Sequence, residues 1–400
     1  MDKKEDAMKE AVIVSACRTA VGRAKRGSLV DVRPEDMGKA VVLEALKRAG
    51  NLDPALVDDC IMGCAMPEAQ QGMNIARQIW LHAKLPESVP CKTVNRFCSS
   101  GLDAIAQAAE RIMVGAADIV VAGGVETMSM IPMGGNKIVP HFEMAMEFYP
   151  AYVGMGETAE NVAKRYNISR HDQDVLALRS NLLAIEANEK GYFKEQIVPL
   201  RAYKYEGTKG KRYFTFEVDE GPRKGTTLEG LAKLKPAFWK NGTVTAGNSS
   251  QMSDGAAAVV LMSREKAKEM GLKPMAKFIM EAVAGCGADE MGVGPSVAIP
   301  LLMKKTGMSL EDIDVIELNE AFASQAVYCV RKLGIEHRLE DRTLNPNGGA
   351  IALGHPLGCT GAKLTVQVVY HLRDHNMQFG VVSMCIGGGM GAAALFERVE

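Results

Sequence analysis

Short β-rich runs and helical periods alternate twice along this chain, once towards each end, and no other feature narrows its fold as much. The first series reads strand 11–15, helix 34–49 closed by Gly50, strand 60–64, helix 74–81, strand 92–95, helix 102–114 and strand 118–122. Most of these strands are apolar runs without a polar alternation, the pattern of strands covered on both faces. Strands and helices in succession predict a layered α/β domain with buried parallel strands. The second series runs strand 315–318, helix 321–332, helix 361–372 and two closing strands, 381–385 and 392–396, about a glycine turn.

Three local echoes point to a duplicated half. Asn95-Arg96-Phe97-Cys98 and Asn345-Pro346-Asn347-Gly348 each precede a helix. Val-Val-Ala-Gly-Gly at 120–124 resembles 382–388, and Gly-Ala-Ala-Ala-Val-Val at 255–260 resembles Gly-Ala-Ala-Ala-Leu-Phe at 391–396. The expected organisation is a first half of residues 1–129 plus 254–274, an inserted domain 130–253, and a second half 275–400. The insertion holds a helix at 156–166, a longer one at 172–190 capped from Ser169, and a stretch rich in lysine and aromatic residues at 199–240.

Length and charge remove several classes. Four hundred residues exceed what one core usually organises. A net charge of -1 argues against a general nucleic-acid or membrane-surface role, both of which need a basic excess. The polar opening at residues 1–6 and the short apolar run at 11–14 lack a signal-peptide core, and no stretch approaches the roughly 20 apolar residues of a membrane span. Nine scattered cysteines, an odd number, are expected to be reduced thiols in a cytoplasmic protein. Cys60 and Cys64 have no second pair at zinc spacing, so no metal site is expected.

Cys98 carries the strongest local chemistry. It follows a strand and precedes Ser99-Ser100-Gly101-Leu102-Asp103, where Ser100 and Asp103 match a capping box. A thiol at a helix N-terminus lies among unpaired N–H groups, which favour the thiolate. A buried, inert cysteine fits the local pattern equally well. His355, in Gly354-His355-Pro356-Leu357-Gly358, sits on a loop stiffened by proline and can take a thiol proton near neutral pH. A lone loop histidine is more often a surface residue. Cys385 opens a run, Cys385 to Gly391, whose backbone N–H groups either point at an oxygen, as in an oxyanion hole, or only turn a tight hairpin. A strand follows this run where a dinucleotide fingerprint needs a helix, which disfavours a Rossmann cofactor. Asn319, after a strand, is either a helix cap or an orienting amide in a cleft. The small polar loop at 245–250 is either a turn or a seat for an amide-rich ligand arm.

Together these segments resemble the thiolase family. Asn95 to Gly101 resembles its nucleophile motif, Asn319-Glu320-Ala321-Phe322 its Asn-Glu-Ala-Phe motif, and Gly354 to Gly358 and Cys385 to Gly389 its two C-terminal signatures. Further matches at 123–129, 158–161 and 245–257 keep the family's order over almost the whole chain. The resemblance implies the thiolase fold, two similar halves in five α/β/α/β/α layers with an inserted loop domain. It implies Cys98 as the acylated nucleophile, His355 as the group that activates it, and Cys385 as the acid/base. Asn319 would hold a water that, with His355, forms one oxyanion hole, and the N–H groups of Cys98 and Gly387 would form the other. Ser250 matches the position that touches the pantetheine arm. Coenzyme A is then a substrate, with no cofactor permanently bound. Lys204, Lys209, Lys211, Arg212, Arg223 and Lys224 offer partners for its phosphates, Arg223 foremost, or form a solvated charged loop.

The activity implied is ping-pong cleavage of a 3-ketoacyl-CoA by CoA, through an acyl-Cys98 thioester, to acetyl-CoA and a shortened acyl-CoA, or the reverse Claisen condensation. Many biosynthetic acetoacetyl-CoA thiolases have His-Met-Gly where this chain has Gly154-Met155-Gly156, and the stretch 129–154 is short for members that build a tetramer. Both features resemble degradative members of fatty-acid β-oxidation, usually homodimers; a dimer is expected here, or a dimer of dimers. Met144, Met146, Phe148 and Tyr149 either line an acyl pocket or pack in the core. Three rivals stand beside this reading. One is an acetoacetyl-CoA thiolase. Another is a condensing enzyme that pairs its cysteine with two histidines, against which Asn319 and Cys385 argue. The third is a non-catalytic lipid-binding or scaffold relative, which has no use for both cysteines with His355 and Asn319.

Overall fold

The computed structural model describes residues 8–399, so the polar opening at 1–6 lies outside it. The first half runs β1 (Ala11–Thr19), β2 (Gly22–Arg23), α1 (Pro34–Arg48), β3 (Asp59–Gly63), α2 (Ile75–His82), β4 (Cys91–Val94), α3 (Ser100–Met113) and β5 (Ile119–Thr127). Helix α1 starts at a proline, which needs no N–H there. Glu35 and Asp36 in its first turn and Lys47 and Arg48 in its last complement the helix dipole.

The region that follows holds α4 (Phe142–Glu147), α5 (Met155–Arg165), α6 (Arg170–Lys190), β6 (Ile197–Val198), β7 (Leu200–Tyr205), β8 (Lys211–Phe216) and α7 (Leu228–Ala232). As expected, α6 is capped by Ser169, whose hydroxyl accepts the Asp172 N–H at 3.1 Å. The β7–β8 hairpin has no counterpart in the sequence reading. Its β8 strand is mostly exposed, so it carries no buried apolar period. Met144, Met146, Phe148 and Tyr149 are exposed, which removes the core-packing alternative for them. The chain then returns through β9 (Ser253–Ser263) and α8 (Arg264–Glu269).

The second half comprises β10 (Ala276–Gly285), α9 (Gly294–Thr306), β11 (Val315–Leu318), α10 (Ala323–Leu333), α11 (His337–Glu340), α12 (Ala350–Leu353), α13 (Leu357–Asp374), β12 (Phe379–Ile386) and β13 (Met390–Arg398). The strands join in the order β11-β12-β13-β10-β1-β9-β5-β3-β4. Outward from the central β1–β10 contact, each half repeats one pattern. β1, β9 and β5 are successively antiparallel with β3 parallel to β5, and β10, β13 and β12 are successively antiparallel with β11 parallel to β12. The expected parallel pairing is therefore found among β3, β4 and β5 and between β11 and β12, with the short β6 also parallel to β1. β13 follows β12 after a three-residue turn, which can join only antiparallel strands.

Helices α3 and α13 pack on each other between the two halves, with α1 and α2 outside the first and α9 and α10 outside the second. That gives five layers. Helix α13 is buried from Leu357 through Leu372, as a helix sandwiched in the middle layer must be. The capping box expected at Ser100 and Asp103 is absent. A 3-10 turn, Phe97–Ser99, already leads into the helix. The Ser100 hydroxyl instead donates to the Phe97 carbonyl at 2.7 Å and accepts the Arg96 N–H at 2.9 Å. Among the described residues no helix is long and apolar enough to cross a membrane.

Candidate active site

Strand β4 runs into the 3-10 turn that delivers Cys98 to the N-terminus of α3. Phe97 has φ 45°, the left-handed region a phenylalanine keeps only when its surroundings hold it, and Asn95 Oδ1 accepts its N–H at 2.9 Å. Cys98 is buried against Ala65, Met128 and Leu357. Burial pushes its thiol up to about 11. The N–H groups of Gly387 and of Cys98 itself pull the other way, and the Glu126 carboxylate adds to the rise. The helix N-terminus, expected to favour a thiolate, is outweighed by desolvation, so the resting thiol is protonated.

His355 sits on the turn between α12 and α13. Its N–H reaches the Gln251 carbonyl at 3.1 Å and Ser253 Oγ at 3.2 Å. The ring is buried, which pushes it down to about 3, with the Lys363 ammonium acting in the same direction. Nδ1 lies 2.6 Å from Thr360 Oγ1, whose own hydroxyl donates to the Pro356 carbonyl at 3.0 Å. Thr360 must therefore accept the Nδ1–H, which leaves Nε2 unprotonated and facing Asn319 Nδ2 at 3.3 Å. The surface alternative for His355 fails. Asn319 does not cap α10, whose N-cap is Phe322. Its N–H donates to the Ser383 carbonyl at 2.9 Å, and its buried Oδ1 has no protein partner among the described residues.

Ser383 lies two residues before Cys385, so the same strand end supports both Asn319 and the second thiol. Cys385 is fully buried beside Met291 and Ala321, and burial with the nearby Cys98 raises its thiol well above the ordinary value. Gly388 and Gly389 both have φ 81°, the conformation that makes glycine necessary in this hairpin. Gly387 does not, and its N–H is the one directed at Cys98. Hairpin and donor loop coexist in one turn. A Cβ on Gly387 would stand 3.5 Å from Met155 Sδ and 3.7 Å from Phe97 Cδ2, so Met155 flanks the same space.

The loop at 245–250 is pinned to this site. Ser250 donates its N–H to the Ala321 carbonyl at 2.9 Å, and Ala323 N–H donates to the Asn248 carbonyl at 2.8 Å. Two residues on, Met252 bridges to His355. Of the basic residues named for the phosphates, Arg212 pairs with Glu206, Lys224 with Glu189, and Lys211 lies over the Tyr203 ring. Arg223 is exposed, and partial desolvation and Arg23 hold its guanidinium below the ordinary value. Arg23 reaches the Gly221 carbonyl at 3.1 Å, so two guanidinium groups lie close together.

Sequence reasoning missed Thr360, Glu126 and Arg23. Glu126 is buried and accepts N–H bonds from Ala65 and Gly358, both at 2.8 Å, and from Gln71 Nε2 at 2.6 Å. It thereby ties the loop after β3 to the start of α13. A glutamate ending an otherwise apolar strand is the sequence signal that marks it.

The arrangement offers one protonated thiol at a backbone donor, a second thiol beside it, and a neutral imidazole whose Nε2 lone pair accepts from Asn319 Nδ2. Comparison with known proteins follows the same line. The family model for the thiolase N-terminal domain matches residues 11–265, and that for the thiolase C-terminal domain matches residues 272–398. The chain is 55% identical to the 3-ketoacyl-CoA thiolase of Bacillus subtilis over 98% of its length and 100% of that protein. It is 46% identical to the human peroxisomal 3-ketoacyl-CoA thiolase over 97% of the chain and 91% of that protein. A crystal structure of the Bacillus anthracis acetyl-CoA acetyltransferase superposes with a TM-score of 0.88 at 41% identity, covering 99% of this chain and 100% of that one. Fold, motif order and both family models agree, and the chain belongs to the thiolase family.

Proposed function

We propose that this chain is a degradative 3-ketoacyl-CoA thiolase, an acyltransferase that uses CoA to cleave 3-ketoacyl-CoA into acetyl-CoA and a shortened acyl-CoA in fatty-acid β-oxidation. One observation carries the chemistry: Cys385 is buried close enough to Cys98 for that thiol to raise its own, and the Gly387 N–H is directed at the Cys98 sulfur. A single thiol cannot hold an acyl group and move protons at once.

In the forward direction His355 Nε2 accepts the Cys98 proton as the sulfur attacks the 3-carbonyl. The oxyanion that forms on C3 is met by the N–H groups of Cys98 and Gly387, and the enolate oxygen that develops on the acetyl-CoA side by the protonated His355 and a water on Asn319. Collapse breaks the C2–C3 bond, and Cys385 protonates the departing acetyl-CoA enolate. CoA then enters, gives its thiol proton to Cys385, and attacks the thioester carbonyl, whose oxyanion the N–H groups of Cys98 and Gly387 receive. Release of acyl-CoA returns Cys98 as the thiol. Ser250 meets the pantetheine arm and Arg223 the phosphates, with CoA a substrate and no cofactor permanently bound.

The relatives at 55% and 46% identity are both named for 3-ketoacyl-CoA, which favours this reading over acetoacetyl-CoA. The exposed Met144, Met146, Phe148 and Tyr149 lie on the segment leading into Met155 and are the candidates for contact with a longer acyl chain. The division into residues 1–129 with 254–274, 130–253 and 275–400 is supported by the repeated strand pattern. A homodimer, or a dimer of dimers, in the cytoplasm completes the proposal, the compartment supported by nine free thiols. The test is a chain-length series: kcat/KM should be sustained or rise from acetoacetyl-CoA to longer 3-ketoacyl-CoA substrates. Collapse of the rate with every substrate longer than acetoacetyl-CoA would assign the chain to the acetyl-transferring branch.

A further inference from the structure

Away from the active site, two further thiols face each other. The parallel register of β3 and β4 pairs Cys60 with Cys91, and the Cys60 N–H donates to the Pro90 carbonyl at 3.0 Å. Neighbouring strands lie about 4.8 Å apart, inside the roughly 4.4–6.8 Å that Cα atoms span across a disulfide. Paired positions of adjacent strands put their side chains on one face of the sheet, and each of these two thiols shifts the other's titration. Cys60 is buried, whereas Cys91, the first residue of the edge strand β4, is partly exposed.

A cation is fixed beside the outer sulfur. Arg77 Nη1 stands 4.0 Å from Cys91 Sγ, and the guanidinium is held there by the Val89 carbonyl at 2.7 Å and the Glu87 carbonyl at 3.0 Å. Cys60 and Arg77 hold the Cys91 thiol below its ordinary value, against burial. Its partner moves the opposite way, raised by Cys91 and by burial. An accessible, cation-flanked sulfur backed by a buried thiol is the arrangement of an attacking and a resolving cysteine.

We propose that Cys91 and Cys60 form a peroxide-reactive dithiol, separate from the catalytic pair, that closes to a disulfide. The Cys91 thiolate attacks one oxygen of hydrogen peroxide, the O–O bond breaks, and hydroxide leaves and is protonated to water. The Cys60 sulfur then attacks the Cys91 sulfenic acid. The S–O bond breaks, a second water departs with the Cys60 proton, and two electrons have passed from the thiols to the peroxide. A small dithiol returns them by exchange. Because β4 continues directly into the turn bearing Cys98, the cross-link pins the strand that carries the nucleophile.

The test is a cysteine map of the native full-length protein, exposed to hydrogen peroxide, blocked with N-ethylmaleimide and digested without reductant. The expected product is a peptide linking Cys60 to Cys91, about 2 Da lighter than its reduced parts and abolished by dithiothreitol. In Cys60→Ser the sulfenic acid on Cys91 should be captured by dimedone; in Cys91→Ser the same peroxide dose should leave Cys60 free. If Cys60→Ser does not fold, the native map and Cys91→Ser still decide the matter. Cys91 remaining maleimide-labelled at doses that oxidise any other cysteine, or a link that forms only in urea, overturns the proposal.

Discussion

Alkylation of Cys98 by iodoacetamide reads its protonation state, because only the thiolate reacts. Burial pushes the Cys98 thiol up to about 11 and the His355 imidazole down to about 3. Moving the proton from sulfur to ring then costs about 8 pKa units, roughly 11 kcal/mol at 1.36 kcal/mol each. Attraction between the two charges, even at about 4 Å, returns only about 4 kcal/mol at an effective dielectric of 20. The neutral pair wins by several kcal/mol, so ionisation belongs to the reaction and not to the resting protein. In the free protein the alkylation rate should climb about tenfold per pH unit from about pH 7 to 10 with no plateau. His355→Asn should leave the position of that curve unchanged, since the neutral ring contributes no charge to the resting thiol. A plateau at or below about pH 8 that disappears in His355→Asn would establish a resting thiolate–imidazolium pair and refute the reasoning.

Thr360→Val removes the acceptor that fixes the Nδ1–H tautomer; kcat should fall by about tenfold to a hundredfold with little change in Tm, checked by steady-state kinetics beside thermal melting. The Arg18–Asp219 pair is fully buried, with two contacts of 2.8 Å. Asp219→Ala should cost about 3–5 kcal/mol in urea unfolding, because an unpaired guanidinium is left inside, and the double variant Arg18→Met with Asp219→Leu should recover part of the loss. A Cβ at Gly361 would stand 2.3 Å from the Leu102 nitrogen, whereas one at Gly387 meets nothing nearer than 3.5 Å. Gly361→Ala should therefore lose about 1–3 kcal/mol or more, and Gly387→Ala should stay within about 1 kcal/mol of the parent in the same unfolding assay.

What the sequence made legible was local. Helix α1 and strand β11 lie where their periods put them, and Cys98, His355 and Cys385 were recognisable because each sits in a short motif at the end of a regular element. Quantities that depend on the finished interior were not legible. Reading Cys98 at a helix N-terminus gives the sign of one effect, but the larger effect is the desolvation supplied by Ala65, Met128 and Leu357 from distant parts of the chain. The capping box at Ser100 failed for a related reason. A left-handed Phe97 starts the turn early and redirects the hydroxyl. Arg18 and Asp219 are far apart along the chain, and no periodicity connects them. Thr360 was within reach, since a threonine one turn into the helix that follows a fixed histidine is placed to accept its ring N–H.

Gly101, Gly124 and Gly358 acquire a common purpose from the duplication. Equivalent helices α3 and α13 occupy the middle layer, and each is preceded by a turn that carries a candidate site residue, Cys98 before the first and His355 before the second. The two helix N-termini approach until backbone touches backbone. A Cβ on Gly101 would lie 2.8 Å from the Gly358 oxygen, one on Gly124 2.0 Å from that same oxygen, and one on Gly358 2.6 Å from the Cys64 Cα. No larger residue fits at these three positions without shifting backbone. Glu126 then binds the N–H groups of Ala65 and Gly358 across the seam, a charge-assisted tie in place of the side-chain packing that glycine gives up. A duplicated fold would otherwise hold these turns a full side-chain layer apart; removing Cβ atoms at the seam, not adding contacts, is what lets the turn bearing Cys98 and the turn bearing His355 meet.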